Sequence, residues 1–314
     1  MQITTATVGR AVAVSRRARK LIEDSTAPST RRAYEMQLKA VDAFAAGRPL
    51  DDALVGEFIT QRHADGLSPA SLRLATAAIN FRFKLHGQPS PVGPLTRRIL
   101  AGAVRNGSQR GRGQVDGIDF SAADCMAAVA GNGGKSMAGV RNAAIIAVAS
   151  DALLRVSEVS ALLVEDIDTG DGKGKGATVT IQRSKTDQTG EGATLYLRPR
   201  TALAVKRWVE KAGITTGPLF LVVHRLGAVQ MQSPLSPRDV RRVIQRCADA
   251  AGVGDGKRIS GHSLRVGAAG DLAMRGATIP DLCSAGRWKT PAQAMHYARA
   301  GLSQQGVVAR LRPA

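Results

Sequence analysis

The second half of the chain carries the residue types needed to break a phosphodiester bond without a metal ion. Such a reaction requires a nucleophile, cations for the non-bridging oxygens and an acid for the leaving 5′ oxygen. The residues that could supply these roles are, in chain order, Arg155, Lys185, His262, Arg265, Trp288 and Tyr297. Each has a common structural explanation when taken alone, so the hypothesis rests on their combination.

The first two candidates are cations in different local settings. Residues 154–158 are predicted to open a helix, which places Arg155 and Glu158 three residues apart on one face, a spacing that is also common for surface ion pairs. Lys185 follows a predicted hairpin strand. A lysine there is usually solvated, but its long side chain could also reach into a groove and donate a proton. Neither pattern is specific alone.

The remaining candidates lie near the end of the chain. His262 and Arg265 are three apart at a predicted helix start, with Ser260 as the expected cap. This spacing is expected to aim both side chains in one direction. An exposed polar helix face gives the same pattern. Trp288 and Tyr297 are nine residues apart, and each could equally be a packing residue. Tyr297 is the best candidate nucleophile, because the other two tyrosines lie on a predicted apolar helix face and on a predicted strand.

The first part of the chain is predicted to be helical. Apolar residues at helical spacing follow Ser29 and Thr30, which we expect to cap a helix, and a second helix follows Pro49. A third is expected to begin with Ser68 as its cap and to end before Gly87, and a fourth follows Pro94. Residues 106–114 contain three glycines and no apolar residue, which indicates a flexible linker. The predicted domains are listed by range: a flexible basic segment (1–25), a helical domain (26–106), the linker (107–116) and a second domain (117–314).

The second domain is predicted to combine helices with one β-hairpin. Helices are expected around residues 122–130 and 140–154, and alternating residues predict hairpin strands at 177–182 and 193–197. The rest of the chain, from Leu203 to about Leu311, has a helical pattern. A glycine-rich run at 170–176 is interpreted as a loose turn, because a strand follows it and no Lys-Ser or Lys-Thr ends it. The predicted fold class is therefore mainly α with a small β-hairpin (α+β).

The charge of the chain favours a polyanionic partner. Of 314 residues, 44 are Lys or Arg and 25 are Asp or Glu, giving a formal net charge of +19. Residues 1–110 carry 17 basic and 8 acidic side chains, and residues 111–314 carry 27 and 17, so both parts are basic. Such a protein could grip nucleic acid from two sides. A basic protein without a polyanionic partner, or one that binds an anionic membrane surface, has the same charge.

Composition predicts a protein of the cytoplasm or nucleoid without metal or cofactor. The sequence contains no apolar run long enough to cross a bilayer and no recognisable secretory signal. Its three cysteines, Cys125, Cys247 and Cys283, are widely spaced and have no nearby histidine cluster of metal-ligand spacing. We expect all three to be reduced, buried thiols.

Taken in order, the candidate residues resemble the signature of the tyrosine recombinases, or phage integrase family, over residues 25–305. Arg155 matches the family's first arginine in its Arg-x-Ser-Glu context, and Glu158 matches the supporting acid. The other matches are Lys185 for the hairpin lysine, His262 and Arg265 for the His-x-x-Arg box, Trp288 for the His-or-Trp position and Tyr297 for the nucleophile. The usual Leu-Gly-His before the tyrosine is absent, but Trp288 keeps a ring N–H donor.

The resemblance implies a two-domain clamp around double-stranded DNA. Its helical core-binding (SAM-like) domain would be residues 26–106 and its catalytic domain residues 117–314. Family members form a 3′-phosphotyrosine without ATP or cofactor and act as homo-tetramers on paired sites, while a monomer is expected in free solution. Integration, excision and resolution are the possible outcomes. The alternatives are a type IB topoisomerase, which shares the chemistry, and a DNA-binding protein that no longer cuts; the complete residue set argues against the latter.

Overall fold

A computed structural model describes residues 15, 17, 20–22, 25–111, 113–169, 176–182 and 192–304. The chain separates into two compact units at the junction of Gly113 and Gln114. Lys185 and most of the glycine-rich run lie outside the described residues. Within the described part of the chain, no helix is both long enough and apolar enough to span a bilayer.

In the first unit, residues 25–111 form four helices around one apolar core. These are α1 (Pro28–Ala45), α2 (Asp52–Ala64), α3 (Pro69–Leu85) and α4 (Pro94–Asn106). The core contains large side chains such as Phe58, Leu72 and Ile79. The prediction of four helices in residues 26–106 is confirmed. Each start could be predicted because the sequence has a proline in the first turn or a capping side chain there.

The predicted cap residue is correct for α3 and wrong for α1. Ser68 caps α3 as predicted, since its hydroxyl accepts a hydrogen bond from the backbone N–H of Ser71. The prediction that Ser29 and Thr30 cap the first helix is wrong, because α1 already begins at Pro28 and no side chain caps it. Proline fixes φ near the helical value and needs no hydrogen-bond acceptor for a backbone N–H, so the helix begins at Pro28, before both predicted cap residues.

The second unit contains eight helices within its described residues. These are α5 (Phe120–Gly131), α6 (Met137–Asp151), α7 (Val156–Ala161), α8 (Pro199–Ala212), α9 (Pro237–Ala250), α10 (Ser263–Met274), α11 (Ile279–Gly286) and α12 (Pro291–Gln304). Helix α6 is the centre of this unit, because every residue from Ala144 to Ser150 is buried. Short 3₁₀ turns lie at Asn132–Gly134 and Val164–Asp166.

Two small antiparallel sheets complete the second unit. The first joins β1 (Ile167–Asp168), β2 (Ala177–Ile181) and β3 (Ala193–Leu197) in that order, and Val179 of β2 lies opposite both Ile167 and Leu195. The β2–β3 pair is the predicted hairpin. The second sheet pairs β4 (Leu221–Val223) with β5 (Val229–Pro234).

The second sheet corrects the prediction that the chain from Leu203 to about Leu311 is helical with short breaks, because two paired strands lie within it. Here the chain runs Leu-Val-Val at β4 and turns back through Gly227, whose φ of +90° is in the left-handed region that favours glycine. The backbone N–H of His224 donates to the carbonyl of Ala228 across this turn. The β-branched residues favour a strand, and the turn allows it to pair with β5.

The cysteine prediction is only partly correct. All three thiols are free, and Cys247 is buried, but Cys283 is half-buried and Cys125 is exposed. In α5 the core-facing residues are Ala123 and Met126, three positions apart, and the side chain between them at Cys125 therefore points away from the core. Helical phase decides the exposure of Cys125 despite the usual tendency of cysteine to be buried.

Gly267 provides a stability prediction for the second unit. A Cβ at Gly267 in α10 would lie 1.9 Å from the backbone oxygen of Ile118, whereas a Cβ at Gly270 in the same helix would meet nothing within 4 Å. We expect Gly267→Ala to lower the free energy of unfolding by about 1–3 kcal/mol or more, because backbone must move to admit the methyl group. Gly270→Ala should be neutral or stabilising, since alanine is the better helix former.

Chemical denaturation of both variants measures this difference. Equal stability of Gly267→Ala and the unchanged protein would show that α10 does not pack directly on the Ile118 backbone.

Candidate active site

Arg155 is held at the start of α7 by Glu158. Arg155 occupies the position before the first helical residue, and its backbone N–H donates to Glu158 Oε2 at 2.9 Å. Its side chain donates from Nη1 to Glu158 Oε1 at 2.6 Å. Because the carboxylate binds both the backbone and the guanidinium of Arg155, it fixes the direction of that side chain.

Glu158 is shared with a second arginine. The Glu158 side chain is 2 % exposed, and Arg287 Nη2 donates to its Oε2 at 2.7 Å. Burial alone raises the pKa of Glu158, but the positive charge of Arg287 and the charge and hydrogen bonds of Arg155 outweigh it, so the pKa lies below its ordinary value. Glu158 is therefore an ionised carboxylate between two guanidinium groups.

Arg265 is fully buried beneath the same cluster. It lies in the first turn of α10, and its two terminal nitrogens donate to the backbone oxygens of Leu153 and Gly286. Burial, followed by repulsion from Arg155 and Arg287, lowers the pKa of Arg265. An arginine stays protonated at neutral pH even so, and the protein therefore keeps a positive charge at a fixed place in its interior.

Trp288 and Tyr297 stack on each other beside Arg265. Their ring centroids are 4.9 Å apart with an interplanar angle of 31°. The guanidinium carbon of Arg265 lies 4.6 Å from the Trp288 ring and 5.6 Å from the Tyr297 ring. Trp288 is buried while Tyr297, on α12, is half-buried. The arrangement brings a tyrosine within reach of a buried cation and leaves it partly open to solvent.

Three buried N–H groups of this cluster have no hydrogen-bond acceptor within the described parts of the chain. They are Arg265 Nε, Arg287 Nε and Trp288 Nε1. Buried donors are nearly always paired in folded proteins, so a group of unpaired donors in one place needs an explanation. The three arginines also carry more positive charge than the single carboxylate of Glu158 can balance. An anion with several oxygens, such as a phosphodiester, would offset this charge and could accept from Arg265 Nε and Trp288 Nε1.

The other two predicted site residues, His262 and Lys185, are not part of this buried cluster as the structure describes it. His262 is exposed and lies just before α10, which begins at Ser263. The prediction that Ser260 caps this helix is wrong, because Ser260 accepts from the backbone N–H of His262 while His262 itself occupies the capping position. His262 is the residue before the helix, whose carbonyl accepts from the backbone N–H of Val266, and Arg265 is buried in the first turn. Lys185 lies outside the described residues.

Arg287 is the member of this cluster that the sequence analysis missed. It directly precedes Trp288 and was part of the segment that leads to it, but nothing in the local pattern indicates a long-range partner. Its contact to Glu158 spans 129 positions. The described residues contain no group of three His, Cys, Asp or Glu side chains that could hold a metal ion.

Comparisons with known proteins identify the family of this chain. Residues 123–302 match the model of the phage integrase family. The chain is 29% identical over 280 residues to recombinase Cre of Escherichia phage P1, covering 84% of this chain and 80% of that protein. It is 27% identical over 146 residues to an integrase/recombinase XerD homolog of Selenomonas ruminantium, which covers 45% of this chain and 41% of the homolog.

Solved structures share the fold at low sequence identity. The XerH site-specific recombinase bound to palindromic difH substrate, in a post-cleavage complex, has a TM-score of 0.67 and 15% identity, covering 87% of this chain and 77% of that one. A lambda integrase dimer bound to a COC′ core site has a TM-score of 0.59 and 14% identity, covering 90% and 75%. The family match extends over more than half of the chain and includes Arg155, Arg265, Trp288 and Tyr297. The chain belongs to the phage integrase family and is a tyrosine site-specific recombinase.

Proposed function

We propose that the second unit cuts duplex DNA by attack of the Tyr297 hydroxyl on a phosphodiester. The observation that carries this proposal is that two buried donors without a partner in the described residues, Arg265 Nε and Trp288 Nε1, lie at the Trp288–Tyr297 stack. A phosphate placed against these donors would lie beside the tyrosine. The nucleophile and the groups that stabilise its transition state would then surround the same phosphorus atom.

Each candidate residue has a defined part in this mechanism. Arg155, Arg265 and Trp288 hold the scissile phosphate and offset the charge that develops on its non-bridging oxygens. Lys185 protonates the 5′ oxygen as it leaves, and His262 assists Tyr297 by hydrogen bonding or as a base. The products are a 3′-phosphotyrosine and a free 5′ hydroxyl.

Rejoining is the reverse of this step. A 5′ hydroxyl of the partner duplex attacks the phosphotyrosine, forms a new phosphodiester and releases Tyr297. One phosphoester bond forms for each that breaks, so neither ATP nor a cofactor is consumed.

The proposed substrate and assembly extend to the whole chain. The relatives of known structure include recombinases described as bound to difH and COC′ DNA. In this chain the net charge of +19 is divided between residues 1–110 and residues 111–314, and both parts are basic. This is the charge distribution expected of a protein that binds a polyanion with both parts. We assign DNA binding to both domains, residues 26–106 and 117–314, joined by the linker at 107–116. A homo-tetramer on paired sites, formed from monomers at the nucleoid, is the proposed working assembly.

Selection of bound and cleaved DNA sites by the purified protein tests this function. Random duplexes are incubated with the protein in excess chelator, covalent complexes are recovered, and the enriched site is sequenced. Two copies of that site on separate DNA molecules should then exchange strands. A protein that forms no covalent complex, or that relaxes supercoils without exchanging paired sites, would contradict the proposal.

A further inference from the structure

The backbone at Arg287 is unusual for a residue with a long side chain. Arg287 follows the end of α11 with φ +52° and ψ +45°, in the left-handed region. Glycine is the usual residue at such a helix end, because any other L-residue meets a steric penalty there. An arginine in this conformation suggests that its side chain contributes something that compensates for the backbone.

The contacts of Arg287 indicate what that contribution is. Nη2 donates to Glu158 Oε2 at 2.7 Å and Nη1 donates to the carbonyl of Ala152 at 3.1 Å. Both terminal nitrogens are thus used within the protein. One of them binds the carboxylate that also orients Arg155, and the other binds the chain segment that connects α6 to α7. Arg287 therefore holds the carboxylate that binds both the backbone and the guanidinium of Arg155.

We propose that Arg287 is a positioning residue for DNA cleavage, which holds Glu158 so that Arg155 is aimed at the scissile phosphate. This inference rests on the proposed function. It differs from a direct contact between Arg287 and phosphate, because it makes the effect of Arg287 depend on its hydrogen bond to Glu158 and, through Glu158, on Arg155. Arg287 acts on the reaction only through Glu158 and Arg155.

The variant Arg287→Gly isolates the side chain from the backbone. Glycine adopts a φ of +52° without penalty, so this substitution removes the guanidinium while favouring the native turn. We expect single-turnover cleavage to slow by up to about 100-fold, the loss typical of a misplaced catalytic group. Arg275→Gly is the matched control, because it removes an exposed guanidinium at the end of α10, and its cleavage rate should stay within about twofold.

A double-mutant cycle with Arg155→Ala separates positioning from other roles. If Arg287 acts through Arg155, its loss should cost little once Arg155 has been removed, and the two effects will be far from additive. If Arg287→Gly costs the same factor in both backgrounds, Arg287 either contacts the phosphate itself or serves the fold alone, and the proposal is wrong. Cleavage by Arg287→Gly at the unchanged rate would also overturn it.

The pH dependence of cleavage supplies an independent readout. Glu158 is hydrogen-bonded to Arg155 and Arg287. It also interacts electrostatically with Arg265. Because burial raises its pKa and Arg287 lowers it, Arg287→Gly should raise the pKa of Glu158. As the pH falls, Glu158 of the variant should be protonated at a higher pH than in the unchanged protein and should then release Arg155. The decline in the cleavage rate should therefore begin at a higher pH in the variant. Parallel pH profiles for the variant and the unchanged protein would contradict a role through Glu158.

Two measurements keep these outcomes interpretable. Thermal melting shows whether Arg287→Gly is folded at the assay temperature, and Arg287→Asn, whose side chain also tolerates the left-handed region, carries the same tests if it is not. The unchanged protein is assayed for covalent complexes in parallel. Failure of the unchanged protein to form them contradicts the proposed function, whereas normal complexes with a fully active Arg287→Gly contradict only the role of Arg287.

Discussion

Tyr297→Phe should form no detectable covalent complex with DNA while binding it about as tightly as the unchanged protein. The substitution removes the only atom of the side chain that can attack phosphorus. The ring remains, and with it the stack on Trp288 at 4.9 Å and the contact with Arg265 at 5.6 Å. The site should therefore keep its shape and lose only its nucleophile.

A labelled DNA substrate with a nick near the cleavage point, incubated in excess chelator, measures this effect on a denaturing gel. Tyr196→Phe is the matched control, since it removes the same hydroxyl from an exposed position on β3 of the same unit. The control should form complexes as the unchanged protein does. Complexes that persist in Tyr297→Phe, or that need a divalent metal in the unchanged protein, would refute the mechanism.

Lys185→Ala should slow cleavage by roughly 10²–10⁴-fold, the usual contribution of a positioned general acid. DNA binding should barely change, because the ammonium is needed only when the 5′ oxygen leaves. A substrate with sulfur in place of this bridging oxygen needs far less protonation, so it should restore most of the lost rate. Lys206→Ala, at an exposed position of α8, provides a matched loss of one lysine and should cleave both substrates normally.

The sulfur substrate also distinguishes the acid from the phosphate-binding arginines. It should not rescue Arg155→Ala, because the charge on the non-bridging oxygens still requires its cation. Equal rescue of both variants, or of neither, would remove Lys185 from the role of acid.

Local sequence signals predicted much of the secondary structure. Proline in the first helical turn and Ser68 as a cap mark helix starts, and alternating apolar residues mark β2 and β3, because these preferences depend on residues close together in the chain. The same local reasoning missed β4 and β5. β4 has only three residues, too few for an alternating pattern, and it is a strand because it pairs with β5. Such pairing cannot be recognised from the pattern of one segment alone.

For the candidate site too, some features could be predicted from local sequence and others could not. The types and order of the candidate residues, from Arg155 to Tyr297, could be read from the sequence, since spacing along the chain is enough to match a family signature. The position of His262 before α10 and the burial of Arg265 within it are visible only in the folded protein. No side chain caps α10, and the backbone of His262 is itself in the right-handed helical region, so a polar residue such as Ser260 does not by itself mark where the helix begins.

The tertiary structure alone also decided the part of Arg287. Its side chain reaches a carboxylate 129 positions away because the turn after α11 packs against the segment between α6 and α7. Likewise, Arg265 binds the carbonyl of Leu153 across 112 positions and that of Gly286 across 21. Such contacts follow from the packing of several helices around α6, whose burial brings chain segments together that no local periodicity relates.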